Sequence, residues 1–325
     1  MDELKALPKI DLHCHLDGSL SIQFIESCLN KSIDSNDLTA PFDCASLAEY
    51  LTKFDIPVSC IQTKENLKNA VLDLIKQAKE DNIKYIEIRF APTLSLNPDL
   101  SYRDIYEGVI EGSRDGLKQY GIYSNIIICA MRHHTSEQNL AMLKSGREYL
   151  GSGVCALDLA GDEAGFSNEL FSYLFEEASR LDMPFTVHSG ECGNVNNIRI
   201  AVEAGAKRIG HGICLGNDKE LMRLCKEKHI GFELCPTSNY QTKAVKPGEA
   251  YPLRDFLDYG IAATVNTDNR TVSNTSMTRE YEFITEKLNI AKDELIQLYK
   301  NSIELSFAND DIKNILFKET KAYAK

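Results

Sequence analysis

Short apolar runs alternate with longer amphipathic stretches along the whole chain. The runs, each of six to ten residues, are bounded by polar or turn-forming residues and predict β-strands. They lie at residues 9–16, 83–91, 123–132, 154–161, 184–190, 207–212, 230–236 and 261–268. The stretches between them, such as 66–80 and 168–181, repeat apolar residues at three- and four-residue spacing, which predicts helices.

Strands that alternate with helices predict parallel βαβ units, and eight repeats favour a closed (β/α)₈ barrel. The connection at 17–82 is long enough for more than one helix, and the tail after Asp268 predicts at least two, including 291–307. Such insertions commonly form lids over the active-site end of a barrel. No linker or low-complexity segment interrupts the chain, so we expect one barrel domain over 1–325. An open doubly wound sheet is the alternative, although no GxGxxG follows the first strand.

Composition and charge narrow the classes of partner. The 325-residue chain is 43% hydrophobic and 26% charged, with a formal net charge of −12. This charge argues against nucleic-acid and acidic-membrane partners and leaves a small, nearly uncharged substrate compatible. There is no apolar run of transmembrane length and no signal-peptide pattern, so we expect a cytoplasmic protein. The sequence does not distinguish a monomer from a homo-oligomer.

The ten cysteines do not form a disulfide or zinc-ribbon pattern. The two nearest in sequence, Cys225 and Cys235, are ten residues apart, and no CxxC pair occurs. We therefore interpret them as reduced thiols, most of them small core residues. Any metal must be held mainly by histidines and carboxylates.

Polar side chains stand at the ends of several predicted strands. His13 and His15 end the first strand, His188 ends the fifth, His211 the sixth and Asp268 the eighth. Four of the seven histidines thus occupy strand ends. In a barrel the carboxyl ends of all strands open into one mouth, so these side chains are predicted to converge.

This pattern has the chemistry of a metal site. His13 and His15 lie two residues apart on a strand and face the same side, and zinc accepts imidazole nitrogen and carboxylate oxygen. An isolated HxH pair could equally be two core histidines, but the further strand-end residues favour ligation. His211 could be another ligand or a catalytic residue beside a bound water. Glu191, three residues beyond His188, could donate a proton, although HSGE alone would more readily indicate a helix-start glutamate.

These motifs together resemble the adenosine deaminase family. IDLHCHLDGSL, LDLAGDE, HSGE, RIGHG, LCPTSN and VNTDN occur in the family's order and approximate spacing, over about residues 8–308. The segment SLAEYLTKFD (46–55) resembles the helical segment that covers the substrate in that family. The resemblance implies a metallo-dependent hydrolase barrel that converts adenosine, and also 2′-deoxyadenosine, to inosine and ammonia in purine salvage.

The resemblance also implies roles for individual residues. One zinc ion per subunit would be held by His13, His15, His188 and Asp268. Glu191 would donate a proton to purine N1, and His211 would orient and activate the water. The implied substrate contacts are His15, Asp17 to the ribose 5′-hydroxyl, the Gly161 backbone to the purine edge, and Asn269 to purine N7.

Asn269 is a departure from the family pattern, because many members have a second aspartate at this place. An amide NH₂ can donate to the N7 acceptor without needing a proton. We therefore expect the substitution to preserve activity.

Several other functions are compatible with parts of the pattern. A related deaminase could act on adenine or on another adenosine derivative, although Asp17 favours a nucleoside. An HxH-barrel phosphoesterase would need more ligands, and the fourth strand has no lysine to bridge two metals. A metal-binding scaffold without turnover would leave Glu191 and His211 without a role. The signatures of cytidine deaminases and of HExxH proteases are absent.

Overall fold

The computed structural model describes residues 2–42, 44, 47–246 and 248–324. Within these ranges the strands are β1 Lys9–His15, β2 Ile83–Phe90, β3 Tyr123–Met131, β4 Val154–Ala160, β5 Thr186–Ser189, β6 Arg208–His211, β7 Gly231–Leu234 and β8 Ala262–Val265. The α-helices are α1 Asp2–Ala6, α2 Ile22–Leu29, α3 Ser35–Leu38, α4 Leu47–Leu51, α5 Asp55–Cys60, α6 Lys64–Glu80, α7 Tyr102–Tyr120, α8 Ser136–Arg147, α9 Ser172–Arg180, α10 Val195–Ala204, α11 Lys219–Glu227, α12 Pro236–Gln241, α13 Leu253–Tyr259, α14 Met277–Lys287, α15 Lys292–Leu305 and α16 Asp310–Glu319.

The strands form a closed parallel ring. β1 to β4 pair in sequence order, and so do β5 to β8. The two halves join where Leu157 N donates to Pro184 O at 2.9 Å. On the other side, His15 N donates to Asp268 O and Asp268 N donates to His13 O, both at 2.7 Å. The predicted (β/α)₈ barrel is confirmed, and its closing bonds involve three of the strand-end residues.

The predicted strands agree with the observed ones, whereas one predicted helix differs. The stretch at 168–181 begins as a 3₁₀ turn, Asn168–Phe171, and only then continues as α9. Asn168 is fully buried, and its amide donates to Ser189 Oγ at 2.7 Å and to Asn197 O at 2.8 Å. These bonds hold the start of the segment against the barrel, out of regular helical register.

The long first connection contains helices α2 to α6, and the tail contains α14 to α16, as the sequence predicts. The segment 46–55 forms α4 and the 3₁₀ turn Thr52–Phe54, with Ser46 outside the described residues. Leu51 and Phe54 of this segment line a cavity at the barrel mouth. This insertion therefore covers the carboxyl ends of the strands.

The barrel interior contains an ionic layer in place of the branched aliphatic side chains common in such barrels. Arg208 Nε lies 2.5 Å from Glu233 Oε1, and its Nη2 lies 2.6 Å from Glu87 Oε2. Thr186 Oγ1 donates to the same Glu233 oxygen at 2.9 Å. All four side chains are fully buried, and buried charges are tolerable only when they are paired in this way.

The state of the cysteines and the apolar content of the helices are as the sequence predicts. All ten cysteines lie in the described part of the chain, and none forms a disulfide. Most of them are buried, as expected for small core residues. Among the described helices, none combines the length and apolar content that crossing a bilayer requires.

Candidate active site

Five side chains from distant strand ends meet at the barrel mouth. The His13 ring centroid lies 4.6 Å from that of His188 and 4.9 Å from that of His211. The His15 and His188 centroids are 5.3 Å apart. Asp268 Oδ1 lies 3.4 Å from Nε2 of both His13 and His15. The structure thus brings together the residues that the sequence placed at the ends of β1, β5, β6 and β8.

Two of these residues adopt a backbone conformation that is rare for residues with a side chain. His211 has φ 61° and Asp268 has φ 59°, both in the left-handed region. Each stands at the end of a strand or just beyond it, where this conformation changes the direction of the chain. Backbone strain of this kind concentrates at functional sites.

The cluster has the dimensions of a metal site. His15 Nε2 and His188 Nε2 are 3.3 Å apart, and both imidazole–Asp268 distances are 3.4 Å. A tetrahedral ion with bonds of about 2.0–2.1 Å would place its ligand atoms about 3.3–3.4 Å apart. Ligand atoms of His13, His188, His211 and Asp268 also lie within 4.8 Å of one another. His13 Nε2 is buried and has no hydrogen-bond partner among the described residues, as expected of an atom that binds a cation.

The charge states suit metal binding as well. Burial, together with the nearby Arg89 guanidinium, lowers the pKa of His13, and burial holds the pKa of His15 well below its usual value. Both rings are therefore neutral near pH 7, with a lone pair available.

Three buried charged residues inside the barrel form a network of hydrogen bonds and ion pairs next to the histidines. His13 Nδ1 lies 2.8 Å from Glu233 Oε2, so its Nε2 faces the cluster. Arg89 joins Glu233, at 2.8 Å, to Asp158, at 2.9 Å. We did not identify these residues from the sequence. The available signal was a charged residue inside each of three apolar strands.

An acid and an imidazole lie beside the cluster. Glu191 Oε2 is 3.6 Å from His211 Nε2. The Asn239 amide donates to His211 Nδ1 at 2.9 Å, and Tyr251 OH donates to the amide oxygen of Asn239, also at 2.9 Å. The neutral His211 ring therefore carries its proton on Nε2, on the side of Glu191.

A cavity of about 430 Å³ opens over these groups, a size typical of small-molecule sites. The predicted substrate contacts His15, Asp17, Gly161 and Asn269 all line it, with apolar residues that include Phe54, Val58 and Leu94. Burial raises the pKa of Asp17 to about 6, and its Oδ1 has no hydrogen-bond partner in the part of the chain that the structure describes. Asn269 Oδ1 likewise has no partner within the described ranges, so two polar groups in the cavity are available to a ligand.

The polar lining depends on two glycines. Gly161 has φ 104°, which exposes its backbone at the end of β4. A Cβ on Gly18 would lie 1.9 Å from Asn269 Oδ1, so only glycine leaves room for the Asn269 amide.

Comparison with known proteins gives a consistent result over nearly the whole chain. A family model described as adenosine deaminase matches residues 8–323. A protein of Enterococcus faecalis named adenosine deaminase is 39% identical, with 96% of each chain covered. A protein of the same name from Clostridium botulinum (strain Kyoto) is 42% identical, with 98% of each covered.

Solved structures share the fold at lower identity. An amidohydrolase from Burkholderia ambifaria with bound Zn superimposes with a TM-score of 0.89 at 20% identity, covering 99% of this chain and 93% of that one. An adenine deaminase from Arthrobacter aurescens superimposes with a TM-score of 0.88 at 21% identity, covering 98% of this chain and 99% of that one. Arabidopsis ADAL complexed with IMP superimposes with a TM-score of 0.85 at 24% identity, covering 100% of this chain and 99% of that one. At these identities the likeness establishes the barrel and its insertions.

Proposed function

The chain belongs to the adenosine deaminase family, and on this premise we propose that it hydrolyses adenosine to inosine and ammonia. 2′-Deoxyadenosine is proposed as a second substrate and purine salvage as the metabolic setting. The observation that carries the proposal is the position of Glu191, within 3.6 Å of His211 and beside the His/Asp cluster, in one cavity. Deamination of an amidine carbon needs an activated water and a proton donor on the same ring.

We propose that the resident metal is one zinc ion per subunit, held by His13, His15, His188 and Asp268. The support is a set of three imidazoles with one carboxylate, the 3.3–3.4 Å spacings, and a neighbour of the same fold solved with bound Zn. Zinc in this position supplies the Lewis acidity that makes water a nucleophile near neutral pH.

The protein's own groups supply the proton transfers. Glu191 donates its proton to purine N1 as the water attacks C6, which offsets the loss of ring aromaticity. His211 is held by Asn239 with its Nε2 proton directed towards Glu191, and it orients the attacking water. The oxygen of the water becomes the C6 carbonyl of inosine; one of its two protons goes to the amino group, which leaves as ammonia, and the other restores Glu191.

Three groups select the purine nucleoside. Asp17 accepts the 5′-hydroxyl of ribose, which gives its unpartnered oxygen a donor. Gly161 contacts the purine edge through its backbone, and the Asn269 amide donates to N7. His15 borders the same part of the cavity.

The lining favours a nucleoside over a nucleotide. Asp17, Asp55 and Asp162 border the cavity, and none of the described lining residues is a lysine or arginine. A 5′-phosphate would meet carboxylates without a compensating cation. The neighbour solved with IMP is therefore a guide to the fold of this chain and not to its substrate.

Adenine is the second candidate substrate, because a structure with a TM-score of 0.88 is an adenine deaminase. Adenine has no ribose, so it would leave the Asp17 oxygen unpaired in a buried position. This unpaired oxygen is the reason for preferring adenosine.

A substrate panel tests the assignment. Purified protein is incubated with adenosine, 2′-deoxyadenosine, adenine and AMP, while ammonia release is followed and bound metal is measured. We expect turnover of the two nucleosides and little or none of adenine and AMP. Turnover of adenine without adenosine would overturn the substrate assignment.

We also propose that residues 1–325 act as one metallo-dependent hydrolase domain in the cytoplasm, with a small-molecule substrate as its partner. Ten cysteines without a disulfide suit a reducing compartment. The net charge of −12 disfavours nucleic acid and anionic membrane surfaces.

A further inference from the structure

The loop that carries Glu191 is attached to a second buried carboxylate. Glu163, in the loop after β4, is 4% exposed and accepts three consecutive backbone N–H groups. Gly190 N lies 2.6 Å from its Oε1, and Glu191 N and Cys192 N lie 2.9 and 3.1 Å from its Oε2. Asn197 Nδ2 adds a fourth bond at 2.8 Å. The carboxylate thus fills a backbone anion site formed by the turn that contains Glu191.

The turn takes this shape because of Gly190. Its φ is 79°, and a Cβ there would lie 2.5 Å from Ile198 Cδ1. Only glycine can therefore bend the chain so that the three N–H groups point at one carboxylate. The position of the Glu191 backbone is then fixed by a residue on a different strand–helix loop.

The carboxyl end of Glu191 is held separately. Thr242, which follows α12, donates its Oγ1 hydrogen to Glu191 Oε1 at 3.0 Å. The other oxygen, Oε2, is the one that lies 3.6 Å from His211 Nε2. Thr242 also lines the cavity. One carboxyl oxygen is therefore occupied and the other remains available for the substrate.

We propose that Glu163 and Thr242 are positioning residues for the proton donor: Glu163 fixes the backbone of Glu191, and Thr242 fixes which carboxyl oxygen faces N1 of the bound purine. The proposal rests on the proposed function. A free glutamate side chain has several rotatable bonds, and proton transfer requires the donor within hydrogen-bond reach of its target. Fixing both ends removes the non-productive orientations.

The same loop links purine binding to proton donation. Gly161, the proposed backbone contact to the purine edge, stands two residues before Glu163. A purine seated against Gly161 therefore sets its N1 relative to the loop that anchors Glu191. This connection explains why a buried carboxylate stands so close to the proposed purine-binding backbone while both of its oxygens accept hydrogen bonds from the protein.

The decisive variants are Thr242→Val, which keeps the shape and removes the hydroxyl, and Thr242→Ser, which keeps the hydroxyl. For Thr242→Val we expect kcat for adenosine to fall about tenfold or more, with KM and metal content within about twofold of wild type. Thr242→Ser should restore most of kcat. Thr285→Val is the matched control, because among the described residues its hydroxyl donates to carbonyls of its own helix, α14.

Comparing adenosine with 1-deazaadenosine distinguishes an effect on the orientation of Glu191 from a change in the shape of the cavity. The inhibition constant of 1-deazaadenosine, which has C–H in place of N1, should be the same for wild type and Thr242→Val, since no proton passes to that position. Equal kcat in wild type and Thr242→Val would overturn the proposal, as would an equal loss in the serine variant or a matching loss of 1-deazaadenosine affinity. Absence of adenosine turnover in the wild-type protein would instead contradict the proposed function.

Glu163→Gln provides an independent test of the second anchor. The amide loses the charge and places NH₂ against a backbone N–H, so the loop should shift and kcat should fall at unchanged metal content. Unchanged kcat in a folded Glu163→Gln variant would remove Glu163 from the proposal. If this variant does not fold, the threonine series decides.

Discussion

His188 Nδ1 lies 3.0 Å from Asp158 Oδ2, and this contact fixes which ring nitrogen faces the cavity. Burial opposes protonation of His188, but the Asp158 carboxylate outweighs it and raises the pKa of the ring. Burial likewise opposes ionisation of Asp158, yet His188 and Arg89 hold the pKa of Asp158 far below its usual range. The carboxylate therefore orients the ring and increases its basicity towards a metal.

Asp158→Asn should weaken metal binding. The amide has the same shape but carries no charge, so the His188 ring loses its anionic partner. Partners of this kind are typically worth 10- to 100-fold in metal affinity, and we expect a loss in that range. Zinc affinity is measured by competition with a chromophoric chelator.

Asp258→Asn on α13 is the control, because that carboxylate is 66% exposed. Its zinc affinity should equal that of the wild-type protein. Wild-type affinity in Asp158→Asn would show that the His188–Asp158 contact has no role in holding the metal.

The sequence located the polar residues at the strand ends, but it could not show contacts between residues that are distant along the chain. The strand ends could be located because polar residues follow the apolar runs. In a barrel the carboxyl ends of all strands meet at one mouth, so these residues converge although they are distant in sequence. Arg89 was missed because its partners Asp158 and Glu233 are 69 and 144 residues away and meet it only inside the closed ring. Thr242 was missed for a similar reason, since its contact with Glu191 spans two loops.

Gly112→Ala should destabilise the packing of α7 on α6. A Cβ at this position would lie 2.5 Å from the Lys68 carbonyl oxygen and 2.8 Å from Val71 Cβ, so the helices must separate. Overpacking of this kind costs about 1–3 kcal/mol, which exceeds the gain of about 1 kcal/mol from the helix propensity of alanine. The free energy of unfolding in urea should fall accordingly.

Gly216→Ala is the comparison variant, because no described residue apart from its chain neighbours lies within 4 Å of a Cβ at this position. We expect its stability to stay close to that of the wild-type protein. An unchanged or higher stability of Gly112→Ala would contradict the close helix packing.

Glu280 should make stability depend on pH. Burial raises the pKa of this carboxyl from 4.5 to about 7, against the opposing hydrogen bonds from Thr237 and Thr275. Because the folded state binds this proton more tightly, the contribution of Glu280 to the unfolding free energy is greatest below about pH 4.5 and is lost as pH rises to about 7. Glu280→Gln cannot ionise, so this part of the decrease should disappear.

Urea unfolding at pH 5 and pH 8 measures the effect. From pH 5 to pH 8, the unfolding free energy of the wild-type protein should fall by about 1–3 kcal/mol more than that of Glu280→Gln. Glu286→Gln, at an exposed position of the same helix, should show the same fall in unfolding free energy as the wild-type protein. A parallel decrease in wild type and Glu280→Gln would mean that Glu280 does not titrate in this range.

Asp17→Ala should abolish recognition of the ribose 5′-hydroxyl. A hydrogen bond to a charged group is worth about 1.5–3 kcal/mol, so wild type should prefer adenosine over 5′-deoxyadenosine by about tenfold or more in kcat/KM. The variant should turn over the two nucleosides with similar kcat/KM. A variant that keeps the wild-type preference would place the 5′-hydroxyl elsewhere in the cavity.

The most direct test of the account compares His188→Ala and Glu191→Gln for bound zinc and adenosine turnover in the same preparations. The account predicts that His188→Ala loses both zinc and turnover. Glu191→Gln should retain a full equivalent of zinc while turnover falls by about 100-fold or more. Full activity of Glu191→Gln, or full zinc content in His188→Ala, would contradict it.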